Sequence, residues 1–264
     1  MLLEGKNAVV YGAGGAIGGA AALAFAREGA RVFLAGRTAA RLDDVAKRIA
    51  DLGGTAEIAE LDALDQEAVD AHADDVAARA GSIDIALNAV GFVHDQGTPF
   101  ADLPYEDYAD PVVAYTKTNF ITAKAVARHM TAQRSGAILT LSTPGARMSG
   151  AGFLGNGVSS AAVEAFSRIL AGELGPSGVR VVCLRPHAIP EALAISHTGE
   201  VFGRVAARSG GTVETLVEHM SSMTLLKRLP TLAEVADFAA FVASDRAGSM
   251  TGAIVNLSSG ALVD

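Results

Sequence analysis

At 264 residues, 50% of them hydrophobic and 19% charged, the chain can bury a full core and suits one large α/β domain spanning 1–264. A net charge of -8 and a pI near 5.2 argue against nucleic acid or an anionic membrane as the main partner, since both call for a basic face; a small-molecule substrate is expected instead. A single cysteine, Cys183, cannot close an internal disulfide, the first strand begins almost at once after Met1, and no apolar run approaches a membrane span, so a cytoplasmic protein is expected.

Asn7–Tyr11 reads as a buried parallel strand and 17–28 as a helix with its apolar face on the sheet. Between them fall Gly12, Gly14, Gly15 and Gly18. Without Cβ atoms these positions let the backbone turn sharply and approach a ligand, and the following helix N-terminus presents unpaired N–H groups suited to a pyrophosphate. The plainer alternative is a Gly-rich turn with no ligand.

Strand 31–35 exits through Gly36-Arg37-Thr38. At this point of a dinucleotide-binding unit a carboxylate takes a free ribose 2′-hydroxyl, whereas an arginine accommodates a 2′-phosphate. No acid occurs until Asp43, so Arg37 points to the phosphorylated cofactor NADP(H); its bland reading is a solvated loop charge. Helix 39–52, strand 55–61 with Asp62 at its end, helix 66–80 and strand 83–88 follow, the last ending in Asn88-Ala89-Val90-Gly91. Next come a loop over 92–104, a long helix over 112–133, strand 137–142, a second Gly-rich loop over 143–157, a helix to 174 and strand 180–184, which ends at Arg185-Pro186-His187. Residues 189–231 read as irregular or short-helical, a length that in compact domains marks a substrate lid. Helix 232–244 and strand 253–257 close the chain. The alternation predicts an α/β, three-layer, doubly wound Rossmann fold with a seven-stranded parallel sheet.

Laid out this way, the sequence resembles the short-chain dehydrogenase/reductase (SDR) family along essentially its whole length. Gly12 and Gly18 match the first and last glycines of that family's TGxxxGIG turn, with Tyr11 in place of Thr and Ala16 in place of the middle Gly. Asp62 matches the aspartate that touches adenine, Asn88 and Gly91 match the ends of NNAG, and FSRILAGEL (166–174), 179–186, ASDRAGSMT (243–251) and 252–260 look like the family's own segments. The resemblance implies an NADP(H) site built from Gly12, Gly14, Gly15, Ala16, Ile17 and Gly18 at the turn, from Arg37, Thr38, Asp62 and Ala63, from Asn88, Ala89, Val90 and Gly91, and from Pro186 and Ile189, with no metal. It also implies a homo-oligomer, a tetramer or a dimer, paired through the two long helices, where Ala162, Val163, Phe166, Ile169 and Leu170 offer more apolar surface than one sheet contact uses.

The active site departs from the pattern. Members of the family typically use Asn, Ser, Tyr and Lys, the last two as YxxxK on one helix face. Counted from FSRILAGEL, the Tyr position falls on Asn156, the Lys position on Ser160 and the Ser position on Thr143, while alignment on Lys124-Ala125-Val126 puts the Asn position at Tyr115 and leaves Asn119 one turn beyond it. No Tyr or Lys occurs between Lys124 and Lys227. Asn156 donates a hydrogen bond but does not ionise usefully, and Ser160 carries no charge, so ordinary alcohol oxidation through these groups is expected to be slow. Tyr115, His94 and His187 are the candidate stand-ins; their bland readings are aromatic packing for the tyrosine and a hydrogen-bonded loop residue for each histidine. Arg147 is a candidate for pinning a substrate carboxylate or phosphate, or a solvated charge. Three function classes follow: an NADP(H)-dependent oxidoreductase delivering hydride to a carbonyl, iminium or conjugated acceptor with Thr143 and Asn156 steadying the developing charge; a non-redox lyase, isomerase or cyclase; and a catalytically inactive NADP-binding protein.

Overall fold

The computed structural model describes residues 1–263. In chain order it contains β1 (Asn7–Tyr11), α1 (Ala16–Arg27), β2 (Arg31–Gly36), α2 (Ala39–Asp51), β3 (Thr55–Glu60), α3 (Gln66–Ala80), β4 (Ile85–Asn88), α4 (Tyr105–Gln133), β5 (Gly136–Leu141), α5 (Leu154–Leu174), β6 (Val179–Pro186), α6 (Pro190–Leu193), α7 (His197–Arg208), α8 (Val213–Met223), α9 (Leu232–Ala243) and β7 (Ile254–Leu257). The strands form one parallel sheet in the order β3-β2-β1-β4-β5-β6-β7. The continuous apolar runs of β1 and β4 are buried along their whole length, as strands covered on both faces must be. Successive residues then serve opposite layers. Val10, Leu34, Leu87 and Leu139 pack with Phe25, Leu42, Ile49 and Ala240 under α1, α2 and α9, whereas Val9, Phe33, Ala86 and Ile138 pack with Val69, Val76, Ile121 and Val126 under α3 and α4.

Chain direction on the sheet reverses at β1, where Tyr11 pairs with Ala35 of β2 on one side and with Asn88 of β4 on the other. The loops after those strands therefore leave side by side, and the crevice between them is where open α/β sheets bind ligands.

The tertiary structure moves the starts of two helices. Helix α4 starts at Tyr105, seven residues before the expected start at 112, and carries Pro111 within it. A proline this near a helix start removes one hydrogen bond without ending the helix, and its ring packs where a Cβ on Gly155 would come within 3.1 Å of Pro111 Cγ. Helix α5 starts at Leu154 rather than after Gly157, because Gly155 and Gly157 sit where α5 presses on α4 and on the loop carbonyl of Gly145. The 189–231 segment is three helices, α6 to α8. The expected apolar face of α5 is also divided: Val163 is buried and Phe166 and Leu170 pack on the core, while Ile169 is 72% exposed, as is Phe120 of α4 at 52%. Among the described residues no helix is long and apolar enough to cross a membrane.

The β1–α1 turn leaves no room for an added methyl group. Gly12 has φ +79°, and a Cβ on Gly18 would lie 2.3 Å from the Gly12 carbonyl oxygen. A Cβ on Gly172, inside α5, would meet nothing within 4 Å. Gly18→Ala is therefore expected to cost on the order of 2 kcal/mol or more in urea unfolding, whereas Gly172→Ala should stabilise by about 0.5–1 kcal/mol through its helix propensity. Equal effects at the two sites would contradict the packing described.

Candidate functional site

A cavity of about 740 Å³ opens along the carboxyl ends of the strands. Its first half is built from turns. Gly12, Gly14, Gly15, Ala16 and Ile17 line it, no side chain caps α1 at Gly15, and the backbone N–H groups of Gly12 and Ala13 are held by Ala35 O at 2.9 and 3.1 Å. A Cβ on Gly12 would sit 2.6 Å from the Ala89 backbone, so only glycine lets the first turn and the β4 exit lie against each other. Gly18 does not line the cavity; it is buried beneath the turn. Arg37 and Thr38 lie at the rim with Arg41, and Asp62, whose Oδ1 accepts the Leu64 N–H at 2.9 Å, lines the wall with Ala63. Asn88 fastens the floor: its Nδ2 donates to Thr122 Oγ1 at 3.0 Å and its Oδ1 accepts the Val90 N–H at 3.0 Å.

The second half is a hydrogen-bonded chain of neutral groups. Asn156 and Ser160 lie one turn apart on α5 and both reach Thr143, at the β5 exit: Thr143 Oγ1 is 3.1 Å from Asn156 Oδ1 and 2.9 Å from Ser160 Oγ. Thr143 donates to the amide oxygen, which turns Asn156 Nδ2 toward His94 Nε2 at 3.3 Å. His94 Nδ1 lies 2.8 Å from Phe92 O and so carries the ring proton, leaving Nε2 to accept from Asn156 and from Gln96 Nε2 at 2.9 Å. A Cβ on Gly145 would lie 2.5 Å from Asn156 Oδ1, so the glycine makes the seat for that amide. Behind this layer Ser142 Oγ donates to Glu164 Oε1 at 3.0 Å, and Arg185 Nη1 meets the same oxygen at 3.2 Å, with both charged side chains almost fully buried.

Tyr115, from α4, lines the cavity with its phenol oxygen accepting the Phe92 N–H at 3.3 Å, and burial raises its pKa. His187 Nδ1 accepts the Ala188 N–H at 2.6 Å, which puts the proton of the neutral ring on Nε2. Pro186 and Ile189 line the same wall. Arg147 is not part of the lining, and Asn119 lines it with its Nδ2 donating to Tyr115 O at 2.9 Å. Cys183 is buried, and that burial pushes its thiol pKa up. Sequence reasoning passed over Arg41, Gln96, Gly145 and His197. Only Arg41 carried a legible signal, as a second cation one turn past Arg37; the others acquire their places from loops and helices that meet only in three dimensions.

Helices α7 and α8 cover the cavity. Arg208, at the end of α7, pairs with Asp95 at 2.6 Å and donates to Gln96 O, so the cover is pinned to the loop after β4, which Gly97 N ties in turn to the loop after β5 through Gly152 O at 2.7 Å. At its other end the His197 ring rests on Gly91, where a Cβ would fall 2.0 Å from His197 Cε1, and lies 6.4 Å from the His94 ring. Burial, reinforced by His94, lowers the His197 pKa to about 4, and burial also lowers those of His94 and His187. A histidine whose folded pKa is depressed contributes stability above its unfolded pKa of about 6.5 that is lost as pH falls. Between pH 7 and pH 5 the native protein should lose about 2 kcal/mol through His197, and His197→Asn should remove that share of the loss. Identical pH dependence of the urea midpoint in the two proteins would contradict this.

The family model described as Enoyl-(Acyl carrier protein) reductase matches residues 12–261. The short-chain reductase protein NovJ of Streptomyces niveus is 29% identical over 255 residues, covering 96% of this chain and 92% of its own. L-rhamnose 1-dehydrogenase (NAD(P)(+)) of Azotobacter vinelandii is 31% identical over 271 residues, covering 100% and 99%. The crystal structure of NAD+-bound xylitol dehydrogenase superposes with a TM-score of 0.89 at 25% identity, covering 98% of this chain and 100% of that one. With the sheet order, the glycine turn and full-length relatives in agreement, the chain belongs to the short-chain dehydrogenase/reductase family of oxidoreductases.

Proposed function

We propose that the protein is an NADP(H)-dependent oxidoreductase that reduces a carbonyl, iminium or conjugated acceptor without the Tyr–Lys pair usual in its family. The observation that carries this reading is the single cavity running from the glycine turn to the Thr143–Asn156–Ser160 chain. The first half fits a dinucleotide: a Cβ on Gly12 would fill the approach, and the start of α1 has no side-chain cap to compete with a pyrophosphate. Arg37 and Arg41 stand at the rim where a 2′-phosphate would lie, with Asp62 left for the adenine side. The xylitol dehydrogenase is NAD+-bound and the rhamnose enzyme is named for both cofactors, so the preference for the phosphorylated one rests on these two arginines.

When bound, the reduced nicotinamide supplies the hydride. For a carbonyl or conjugated acceptor, Thr143, Asn156 and Ser160 steady the oxygen on which negative charge develops, the Thr143 hydroxyl sitting between the other two and Asn156 keeping a second N–H after serving His94; an iminium nitrogen becomes neutral on taking the hydride and needs no such help. The proton comes from Tyr115 or His187. The phenol oxygen accepts from Phe92 and still has its own O–H to give, and His187 presents Nε2–H. His94 is a positioning residue, since its ring accepts from Asn156 and spends its proton on Phe92 O. Residues 189–231 act as the lid of a single unit, and the exposed residues Ile169 and Phe120 mark the face through which copies of the chain associate as a tetramer or dimer.

Fluorescence titration should give tighter binding of NADPH than NADH, with Arg37→Ala losing about 1.5 kcal/mol, or roughly tenfold, for NADPH alone. Equal affinities in the wild type would overturn the cofactor assignment. Simple ketones should turn over slowly, because loss of a placed acid–base group costs about 10²- to 10⁴-fold. Asn156→Tyr with Ser160→Lys should raise that activity and Asn156→Tyr alone much less, since a lone phenol keeps a pKa near 10. NADPH that binds but is consumed with no member of a carbonyl, imine and quinone panel would instead favour a non-redox enzyme or an inactive cofactor-binding protein.

A further inference from the structure

We infer that the end of the cavity away from the glycine turn selects an uncharged, predominantly apolar carbonyl compound and rejects carboxylated, phosphorylated and polyhydroxylated ones. This rests on the oxidoreductase reading above and adds the substrate class. The charged side chains that line the cavity are Arg37, Arg41 and Asp62, all in the segments that follow β2 and β3. At the other end the walls come from Met148 and Phe153 of the β5–α5 loop, Phe202 of α7, and Leu216, Met220 and Met223 of α8. No Asp, Glu, Lys or Arg joins them in the lining.

Cations and anions near this end are engaged elsewhere. Arg208 pairs with Asp95, Arg185 with Glu164, and Arg147 lies outside the lining. Of the histidines in the lining, His94 is hydrogen-bonded as the neutral ring, His187 accepts the Ala188 N–H, and His197 is held neutral by its burial against Gly91, while His219 of α8 is exposed to solvent. An anionic substrate would lose its water without gaining a counter-charge, which a low-dielectric site penalises steeply. A polyol fares no better, because the fixed polar groups cluster at Thr143, Asn156 and Ser160, the Ser196 and Thr198 hydroxyls are bonded to each other and to Ala192 O, and most of the opposite wall is thioether, aliphatic or ring surface. Three methionines in that wall let it adapt to apolar shapes rather than to one outline.

The test is calorimetric binding to the NADP+-loaded protein at pH 7, with methyl 5-oxodecanoate, 5-oxodecanoate and xylitol as probes. The ester should bind at least 20-fold more tightly than the carboxylate, and xylitol should be weaker still. Met220→Lys, or Phe202→Lys if the first variant fails to fold, should shrink the ester-to-carboxylate ratio at least tenfold. A wild-type protein that binds the carboxylate as well as the ester, or a ratio unmoved by both lysines, would overturn the inference, as would failure of the ester to bind. Because NADP+ permits no reduction of the ester, the outcome is separate from that of the oxidoreductase reading: an ester that binds here while NADPH is consumed with no member of the carbonyl, imine and quinone panel would sink that reading and leave this one standing.

Discussion

The rest of the structure depends on how closely the backbone of the β1–α1 turn can approach its neighbours. Three elements converge on Gly12: β2 through the Ala35 carbonyl, β4 through the Ala89 backbone, and α1 through Gly18, whose hypothetical Cβ would lie 2.3 Å from the Gly12 oxygen. Each contact is backbone against backbone, so no rotamer change can relieve an added methyl. This approach sets the depth of the crevice at the switch in strand order, and with it how near a ligand lying on the α1 N-terminus comes to the loops after β4 and β5.

On the far side of that crevice the protein arranges polar groups so that none carries a charge. Thr143, Asn156, Ser160 and His94 form one hydrogen-bonded chain, and the tautomer of His94 follows from the Phe92 carbonyl on one nitrogen and two amides on the other. Glu164 and Arg185 lie one layer deeper and are paired, with Ser142 on the same carboxylate oxygen. Breaking such a pair strands a buried charge, so the pair is an anchor beneath the Thr143–Asn156–Ser160 chain rather than part of it. The neutral chain of Thr143, Asn156 and Ser160 and the apolar side chains that α7 and α8 place over it belong together, since uncompensated charge beneath that cover would favour its opening.

The cover itself is held by interactions of different kinds at its two ends. Arg208 grips Asp95 and the Gln96 carbonyl by charge and hydrogen bond, and His197 presses its ring on Gly91 by shape alone. The first survives a change in the protonation of the histidines and the second does not, because a charged ring at His197 would be buried without a counter-charge, with His94 6.4 Å away.

The amino-acid sequence by itself determined the order of strands and helices, the doubly wound sheet and the turn residues of the dinucleotide half, because those follow from local periodicity and from glycines whose need is met within a few residues. Thr143, Asn156 and Ser160 were legible too, by counting from a segment similar to the family's. What only the tertiary structure decided are features made by distant segments: the early start of α4 through Pro111, the seat that Gly145 leaves for Asn156, the tautomer of His94, and the placement of His197 on Gly91, a glycine far from it in the chain. Gly18 likewise lies under the turn rather than in the wall. The spacing of apolar residues in α7 and α8 marks the face each buries but not the cavity that face closes, since the groups it meets come from distant parts of the chain.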